Sequence, residues 1–351
     1  MLAQKSPSRM RQVKGPGDRS RLSPPPLCDN HPMPPRFSAA AWLAHAHLQT
    51  VYGSLFARAP RIDFRRERWE TPDGDFVDVD FVDGPAGAAW VHLFHGLEGS
   101  SDSNYARNLM AHASARGWRG SVLHFRGCSG EPNRLPRAYH SGDSDEVDWV
   151  LRRIRERAGD APVFGAGVSL GGNALAKWAG ERGSSARSVI DRAAVVSAPL
   201  DLMAAGDALE RGFSMNYTRH FLATLKRTAL AKLQRFPGLY DADRVRASKT
   251  LRDFDNVVTA PIHGFRDTDD YWTRASSKPW LARIEVPTLV LNARDDPFLP
   301  QEALPSQAEV SPSVTLEFTD RGGHVGFVSG PFPGNIDWLP QRILHFFEHG
   351  E

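Results

Sequence analysis

Short apolar runs without polar alternation recur along this chain, and stretches of helical periodicity separate most of them. The runs are Ala88–Phe94, Ser121–Phe125, Pro162–Ser169, Ala193–Ser197, Thr288–Asn292 and Val314–Phe318. A strand that faces water on one side alternates polar and apolar residues, whereas a strand covered on both faces reads as continuous apolar sequence. Helical patterns lie at Ser103–Arg116, Asp143–Arg157, Gly171–Glu181 and Gln301–Glu309, with a last one near Ile336–Glu348. Strands that alternate with helices predict a mostly parallel sheet covered by helices on both faces. Right-handed crossovers then bring the strand C-termini, and any site built on them, to one edge. Ahead of these runs, Arg65–Thr71 and Phe76–Val82 alternate about Pro72-Asp73-Gly74 and predict a hairpin.

Between Pro199 and Pro287 the rhythm stops. This stretch has no convincing buried strand but does have helical segments such as Tyr217–Phe236, and it predicts a helical lid insertion at about 200–285. Residues 1–36 contain eight prolines and seven Lys or Arg against two Asp, a balance of +5, and read as a disordered basic leader. Met33 offers an alternative start that would remove most of it. The remaining residues, 37–351, carry 36 basic and 39 acidic side chains, so the folded body has no bulk charge suited to nucleic acid. Phe37–Ala57 is uncharged over 21 residues but holds His45, His47, Gln49, Thr50 and Ser54, so stable membrane insertion is not expected. Two cysteines, Cys28 and Cys128, make neither a disulfide framework nor a metal-ligand pair, which fits a reduced, cytoplasmic setting.

The sharpest chemical signal is Gly167-Val168-Ser169-Leu170-Gly171-Gly172, set between a strand-like and a helix-like run. A G-x-S-x-G sequence in that context is a nucleophile elbow, whose glycines leave room for a strained serine that projects above the sheet. A serine hydroxyl needs a base and an orienting acid, and on such a scaffold they follow in the order acid, then histidine. His324 lies in the glycine-rich loop Arg321-Gly322-Gly323-His324-Val325-Gly326 after the last strand, which makes it the base by position. For the acid, Asp296 and Asp295 both follow the run that ends near Ala293. Asp296 suits the relay position better, Asp295 reads as a turn residue, and Asp201 after the preceding strand is a third candidate.

An oxyanion hole needs two preorganised backbone N–H groups. Leu170, next to the serine, supplies one, and Leu97 in His95-Gly96-Leu97-Glu98-Gly99 supplies the other, with the His95 ring positioning that loop. His140 and Asp145 have the His-x4-Asp spacing also seen in glycerolipid acyltransferases, although a cap on the helix beginning near Asp143 accounts for the segment. Cys128 has no base placed for it and reads as structural, while Asp269-Asp270 and the neighbouring aromatics either line an acyl pocket or pack. No P-loop or metal cluster is expected, and no cofactor.

His95-Gly96-Leu97-Glu98-Gly99-Ser100, Phe125-Arg126-Gly127-Cys128-Ser129-Gly130-Glu131-Pro132-Asn133 and Tyr139-His140-Ser141-Gly142 resemble the YheT-like branch of the α/β hydrolases. This branch is the AB-hydrolase type 4 family, related to animal abhydrolase-domain lipases. His47-Leu48-Gln49-Thr50, and Phe254-Asp255 leading to Pro261, add to the resemblance, which spans roughly residues 37–350. It implies an α/β-hydrolase fold and serine carboxylesterase activity on short-chain esters or monoacylglycerols, with a Ser169, Asp296 and His324 triad. Acyl transfer to a lipid or other alcohol, and a non-catalytic binding role on the same scaffold, are the alternatives. The expected partner is a small ester or lipid; the sequence carries no signal for oligomeric state.

Overall fold

The computed structural model describes residues 34–350. The expectations for the leader up to Met33, including Cys28 and the alternative start, lie outside the described residues. Pro35 belongs to the folded body, because the Trp338 indole donates to its carbonyl at 2.7 Å.

Eight strands form one sheet: β1 (Arg65–Glu70), β2 (Phe76–Val82), β3 (Trp90–Phe94), β4 (Arg119–His124), β5 (Val163–Val168), β6 (Arg192–Val196), β7 (Thr288–Ala293) and β8 (Val314–Thr319). Their spatial order is β1-β2-β4-β3-β5-β6-β7-β8. β1 and β2 pair antiparallel, as do β2 and β4, and every pairing from β4 to β8 is parallel. The first hairpin turns at Gly74, whose φ of +84° suits a residue without a side chain. The reason for the parallel core is visible in burial: every residue of β3 and β5 is buried. β8, at the edge, buries only Val314 fully.

Among the described residues the first α-helix is α1 (Ala46–Leu55). Helices α2 (Asn104–Ala115), α3 (Ser144–Ala158) and α4 (Leu170–Arg182) connect the early strands. Between β6 and β7 come α5 (Leu202–Leu209), α6 (Met215–Arg235), α7 (Ala242–Ala247), α8 (Leu251–Val257), α9 (Thr259–Ile262) and α10 (Thr268–Ala275), and α11 (Trp338–His349) ends the fold. One face of the sheet is covered by α3 and α4, through residues such as Val150, Ile154 and Leu175. The other is covered by α2 and α11, through residues such as Met110, Ile343 and Phe347. Among the described residues no helix is long and apolar enough to cross a membrane.

One expected helix is absent. Gln301–Glu309 forms two short 3-10 turns, Gln301–Ala303 and Gln307–Glu309. The break falls at Leu304, which is extended at ψ 140°. Pro305 follows it; a proline lacks the N–H that would continue a helix and drives the residue before it out of the helical region.

Candidate active site

β5 delivers Ser169 at φ +53° and ψ −120°, a conformation a non-glycine residue adopts only under constraint. The constraint is visible: the Ser169 amide donates to the Val196 carbonyl at 2.8 Å, and its own carbonyl accepts from Asn173 at 3.1 Å. Two glycines make the turn possible by close approach. A Cβ on Gly167 would sit 2.6 Å from the Gly171 carbonyl oxygen, and one on Gly171 would sit 2.4 Å from that of Phe94. The elbow is thereby pressed against the end of β3.

The loop after β8 brings His324 over the serine. Its Nε2 lies 3.0 Å from Ser169 Oγ. On the other side of the ring, Nδ1 lies 2.9 and 3.1 Å from the two carboxylate oxygens of Asp296, which follows β7. A carboxylate only accepts, so Nδ1 carries the proton and donates to Asp296, and the Nε2 lone pair faces the serine hydroxyl. The Asp296 side chain is wholly buried and also accepts the Phe298 N–H at 2.8 Å. Phe298 stacks on the His324 ring at 4.0 Å between centroids.

The rival carboxylates are engaged elsewhere. Asp295 accepts the Gly323 N–H at 2.9 Å and so holds the histidine loop from below. Burial pushes the Asp295 carboxyl above its ordinary range. Asp201 caps α5 by accepting from Ala204.

Gly96 lies against the elbow, where a Cβ would come within 3.1 Å of Ser169 Cβ. The Phe125 N–H donates to His95 Nε2 at 3.2 Å, so His95 Nδ1 is the protonated nitrogen and donates to the Gly96 carbonyl at 2.7 Å. Burial pulls this imidazole down to about 3, so it stays neutral and its tautomer holds the loop. Glu98 adopts φ +55°, and its N–H donates to the Tyr139 hydroxyl at 3.0 Å while that hydroxyl donates back to the Glu98 carboxylate at 2.8 Å. Among the described residues the Leu97 and Leu170 amides reach no protein acceptor. Both residues line the same cavity as Ser169 and His324.

Residues 89–331 match the family model described as alpha/beta hydrolase fold. The chain is 42% identical over 305 residues to YheT, a protein of Escherichia coli (strain K12) that carries an esterase name, covering 86% of this chain and 89% of that one. It is 30% identical over 323 residues to Phospholipase ABHD3 of Mus musculus, covering 88% and 78%. The chain belongs to the alpha/beta hydrolase family, in its YheT-like branch. A solved structure of a membrane phospholipase A, described as a bacterial virulence factor, shares the fold at a TM-score of 0.52 and 17% identity, over 82% of this chain and 87% of that one.

The cavity of this hydrolase has a volume of about 170 Å³ and runs beneath the helices between β6 and β7. Its walls near Ser169 are apolar, with Leu97, Leu170, Leu202, Phe221 and Phe298. Two buried ionisable groups also line it. Burial pushes the Asp255 carboxyl up to about 6, against hydrogen bonds from Thr259 and Trp272. Burial pulls the Lys232 amine down to about 8, and this amine ties α6 to the carbonyls of Leu135, Pro136 and Arg137.

Other sequence candidates separate in space. His140 lines the cavity but Asp145 is exposed beside Arg182, so the His-x4-Asp pair is not assembled. Asp143 sits at the start of α3 without a side-chain cap, because Arg137 engages both its oxygens at 2.6 Å. Burial first, and Glu98 second, push the Cys128 thiol far up, so it stays protonated at neutral pH. Tyr271 and Trp272 line the cavity, while Asp269 and Asp270 pair with Arg252 and Arg274. Spacing also passed over His345, Glu348 and His349 on α11, whose ligand atoms lie within 4.8 Å of one another away from the cavity.

The residue that sequence reasoning missed is Thr50 on α1. Its hydroxyl donates to the Ala46 carbonyl at 2.9 Å and accepts the His324 N–H at 2.9 Å. The motif His47-Leu48-Gln49-Thr50 carried that signal, but the distance in sequence, 274 residues, hid the contact.

Proposed function

We propose that this chain is a serine carboxylesterase acting on short-chain esters or monoacylglycerols through an acyl-enzyme, with Ser169, His324 and Asp296 as its triad. In its broad class it is an esterase and lipase type of hydrolase. The observation that carries the finer reading is the hydrogen-bonded row from Ser169 Oγ to His324 Nε2 at 3.0 Å, and from Nδ1 to Asp296 at 2.9 Å, at the floor of an apolar cavity.

In this reading the Ser169 hydroxyl attacks the ester carbonyl as His324 Nε2 takes its proton. The oxyanion accepts the Leu97 and Leu170 amides, which no protein group occupies. Asp296 stabilises the imidazolium without becoming protonated. Collapse of the adduct breaks the ester C–O bond, and His324 hands its proton to the leaving alcohol. Water then attacks the acyl-serine, losing its proton to His324, and the acid leaves as the serine is reprotonated. A volume of about 170 Å³, close to the ~150 Å³ of an apolar cavity that holds a six-carbon ring, supports a short acyl chain in this reading. Acyl transfer to a lipid or other alcohol would use the same acyl-enzyme, with the alcohol in place of water if the lid helices excluded water. A cytoplasmic location belongs to the same proposal and is supported by the absence of a disulfide framework in a chain with two cysteines.

The test is a fluorophosphonate label and a p-nitrophenyl ester series on wild type and Ser169→Ala. Labelling and hydrolysis in wild type, both lost in the variant, are expected. Absence of labelling in wild type would turn the reading to a binding protein, and product formed only with an added alcohol would turn it to transfer.

A further inference from the structure

Helix α1 is built inside out. Its buried residues are Gln49, Thr50 and Gly53, while Leu48 and Leu55 are 53% and 68% exposed and the adjoining Phe56 is 63% exposed. A surface helix ordinarily turns its apolar stripe to the core and its polar face to water. Here the inward polar residues are all occupied. Gln49 bonds to Leu43 and to both backbone groups of Val328, Thr50 holds His324, and Gly53 packs on Gly326. The sequence therefore keeps Leu48, Leu55 and Phe56 outside without a packing reason.

These residues do not stand alone. Residues 48, 52, 55 and 56 share one helix face by their spacing, and Tyr52 joins Phe56 to Trp42 and through it to Phe332 at centroid distances of 4.9 to 5.8 Å. Phe332 is 75% exposed. On the other flank His47 packs on Phe213 at 4.4 Å, itself 55% exposed, and neighbours Tyr217. Tyr217 packs on Phe298, which stacks on His324. Every large hydrophobic side chain that is exposed among the described residues thus belongs to α1 or to this aromatic chain around it, and the chain ends on the imidazole.

We propose that this face is a docking surface for an anionic phospholipid bilayer, with α1 lying in the plane of the lipid headgroups. At ten residues α1 is about 15 Å long, half of the ~30 Å needed to span a hydrocarbon core, and fits an interfacial helix. From Phe37 to Ile62 the chain has no Asp or Glu, and Arg58 and Arg61, directly after the apolar stripe, are exposed with no ion-pair partner among the described residues. Apolar side chains bordered by unpaired cations complement acyl chains beneath anionic headgroups. A second copy of the chain would instead bring more of the same unpaired cations to the interface and no carboxylate from residues 37–62 to meet them. The inference rests on the esterase reading and deepens it by naming the surface that would meet a lipid substrate.

The experiment uses the full chain carrying Ser169→Ala, so that binding is measured whether or not the chain hydrolyses esters. The chain is sedimented with vesicles of phosphatidylcholine alone and of phosphatidylcholine with phosphatidylglycerol. It is expected to pellet with the anionic vesicles. Adding Leu48→Ser, Leu55→Ser and Phe56→Ser together is expected to weaken that binding roughly tenfold or more, with the circular dichroism spectrum unchanged. A parent chain that stays in the supernatant with anionic vesicles overturns the proposal. So does a triple variant that pellets equally well, since basic residues alone would then hold the chain. A dimer in sedimentation equilibrium that the three substitutions dissociate would give the face to a second copy and also overturn it.

Discussion

Replacing Asp296 by Asn tests the proposed mechanism through a single proton. The side chains have the same shape, but the carboxylate has two tasks: Oδ1 accepts the Phe298 N–H at 2.8 Å, and Oδ2 lies 2.9 Å from His324 Nδ1. An asparagine can keep the first bond only by placing its carbonyl oxygen there, which turns its NH2 toward Nδ1. Two donors then face each other at the shorter contact, which favours the imidazole moving its proton to Nε2 and accepting at Nδ1, although the carbonyl oxygen stays 3.1 Å from Nδ1. The protonated Nε2 then faces Ser169 Oγ, 3.0 Å away, and no longer takes its proton. The opposite amide orientation would leave the buried Phe298 N–H without an acceptor, at a cost of about 1–3 kcal/mol. Holding the wrong tautomer in a Ser-His-Asp site lowers kcat by ~10⁴, or about 5.5 kcal/mol of barrier. The assay is steady-state hydrolysis of p-nitrophenyl butyrate, with a thermal melt to show that the variant is folded. Asp295→Asn is the control: its carbonyl oxygen still accepts from Gly323, so activity should stay within about tenfold of wild type. Asp296→Asn retaining more than a tenth of the wild-type kcat, or Asp295→Asn proving the worse of the two, would refute the reasoning.

Two further outcomes follow from the geometry. Tyr139→Phe removes both hydrogen bonds to Glu98 but keeps the ring stacked on Phe125 at 5.3 Å. Because Glu98 adjoins the Leu97 amide, kcat should fall by about tenfold with KM unchanged, a fraction of the loss for a whole oxyanion donor; an equal rise in KM would assign Tyr139 to packing. At Asp80, burial alone would raise the carboxyl, yet hydrogen bonds from Arg66, His124 and Ser101 hold it well below its ordinary range. A carboxyl lowered in the folded state stabilises the fold above about pH 4 and loses that contribution as pH falls below it. Asp80→Asn should therefore lower urea-unfolding stability by about 2 kcal/mol at pH 7, and the gap to wild type should narrow toward pH 2; a constant gap would show that the charge is not responsible.

The parallel core was legible because strands covered on both faces leave unbroken apolar runs, and that topology sets Ser169, Asp296, His324 and the His95-Gly96 loop at strand C-termini along one edge. What sequence alone left open was local. Asp295 and Asp296 are chemically alike, and only the Phe298 and Gly323 amides distinguish which one faces the imidazole. Gln301–Glu309 has helical spacing, but Pro305 overrides it. α1 was missed because its pattern is inverted: a helix with buried Gln49 and Thr50 gives no amphipathic signal that points inward. Tyr139 and Thr50 act across 41 and 274 residues of sequence, beyond any spacing rule.

The Thr50 contact also sets how far this enzyme can be trimmed. The part of the chain shared with the wider family, 89–331, contains the serine, the acid and the imidazole, yet the strut under the imidazole's backbone comes from outside it. Gly53 makes the same point in steric form, since a Cβ there would meet Gly326 Cα at 2.9 Å. A chain cut back to that shared part would keep Ser169, Asp296 and His324 and lose the Thr50 contact to the His324 backbone. The unit that holds this geometry is therefore longer than residues 89–331, and helix α1 is part of it.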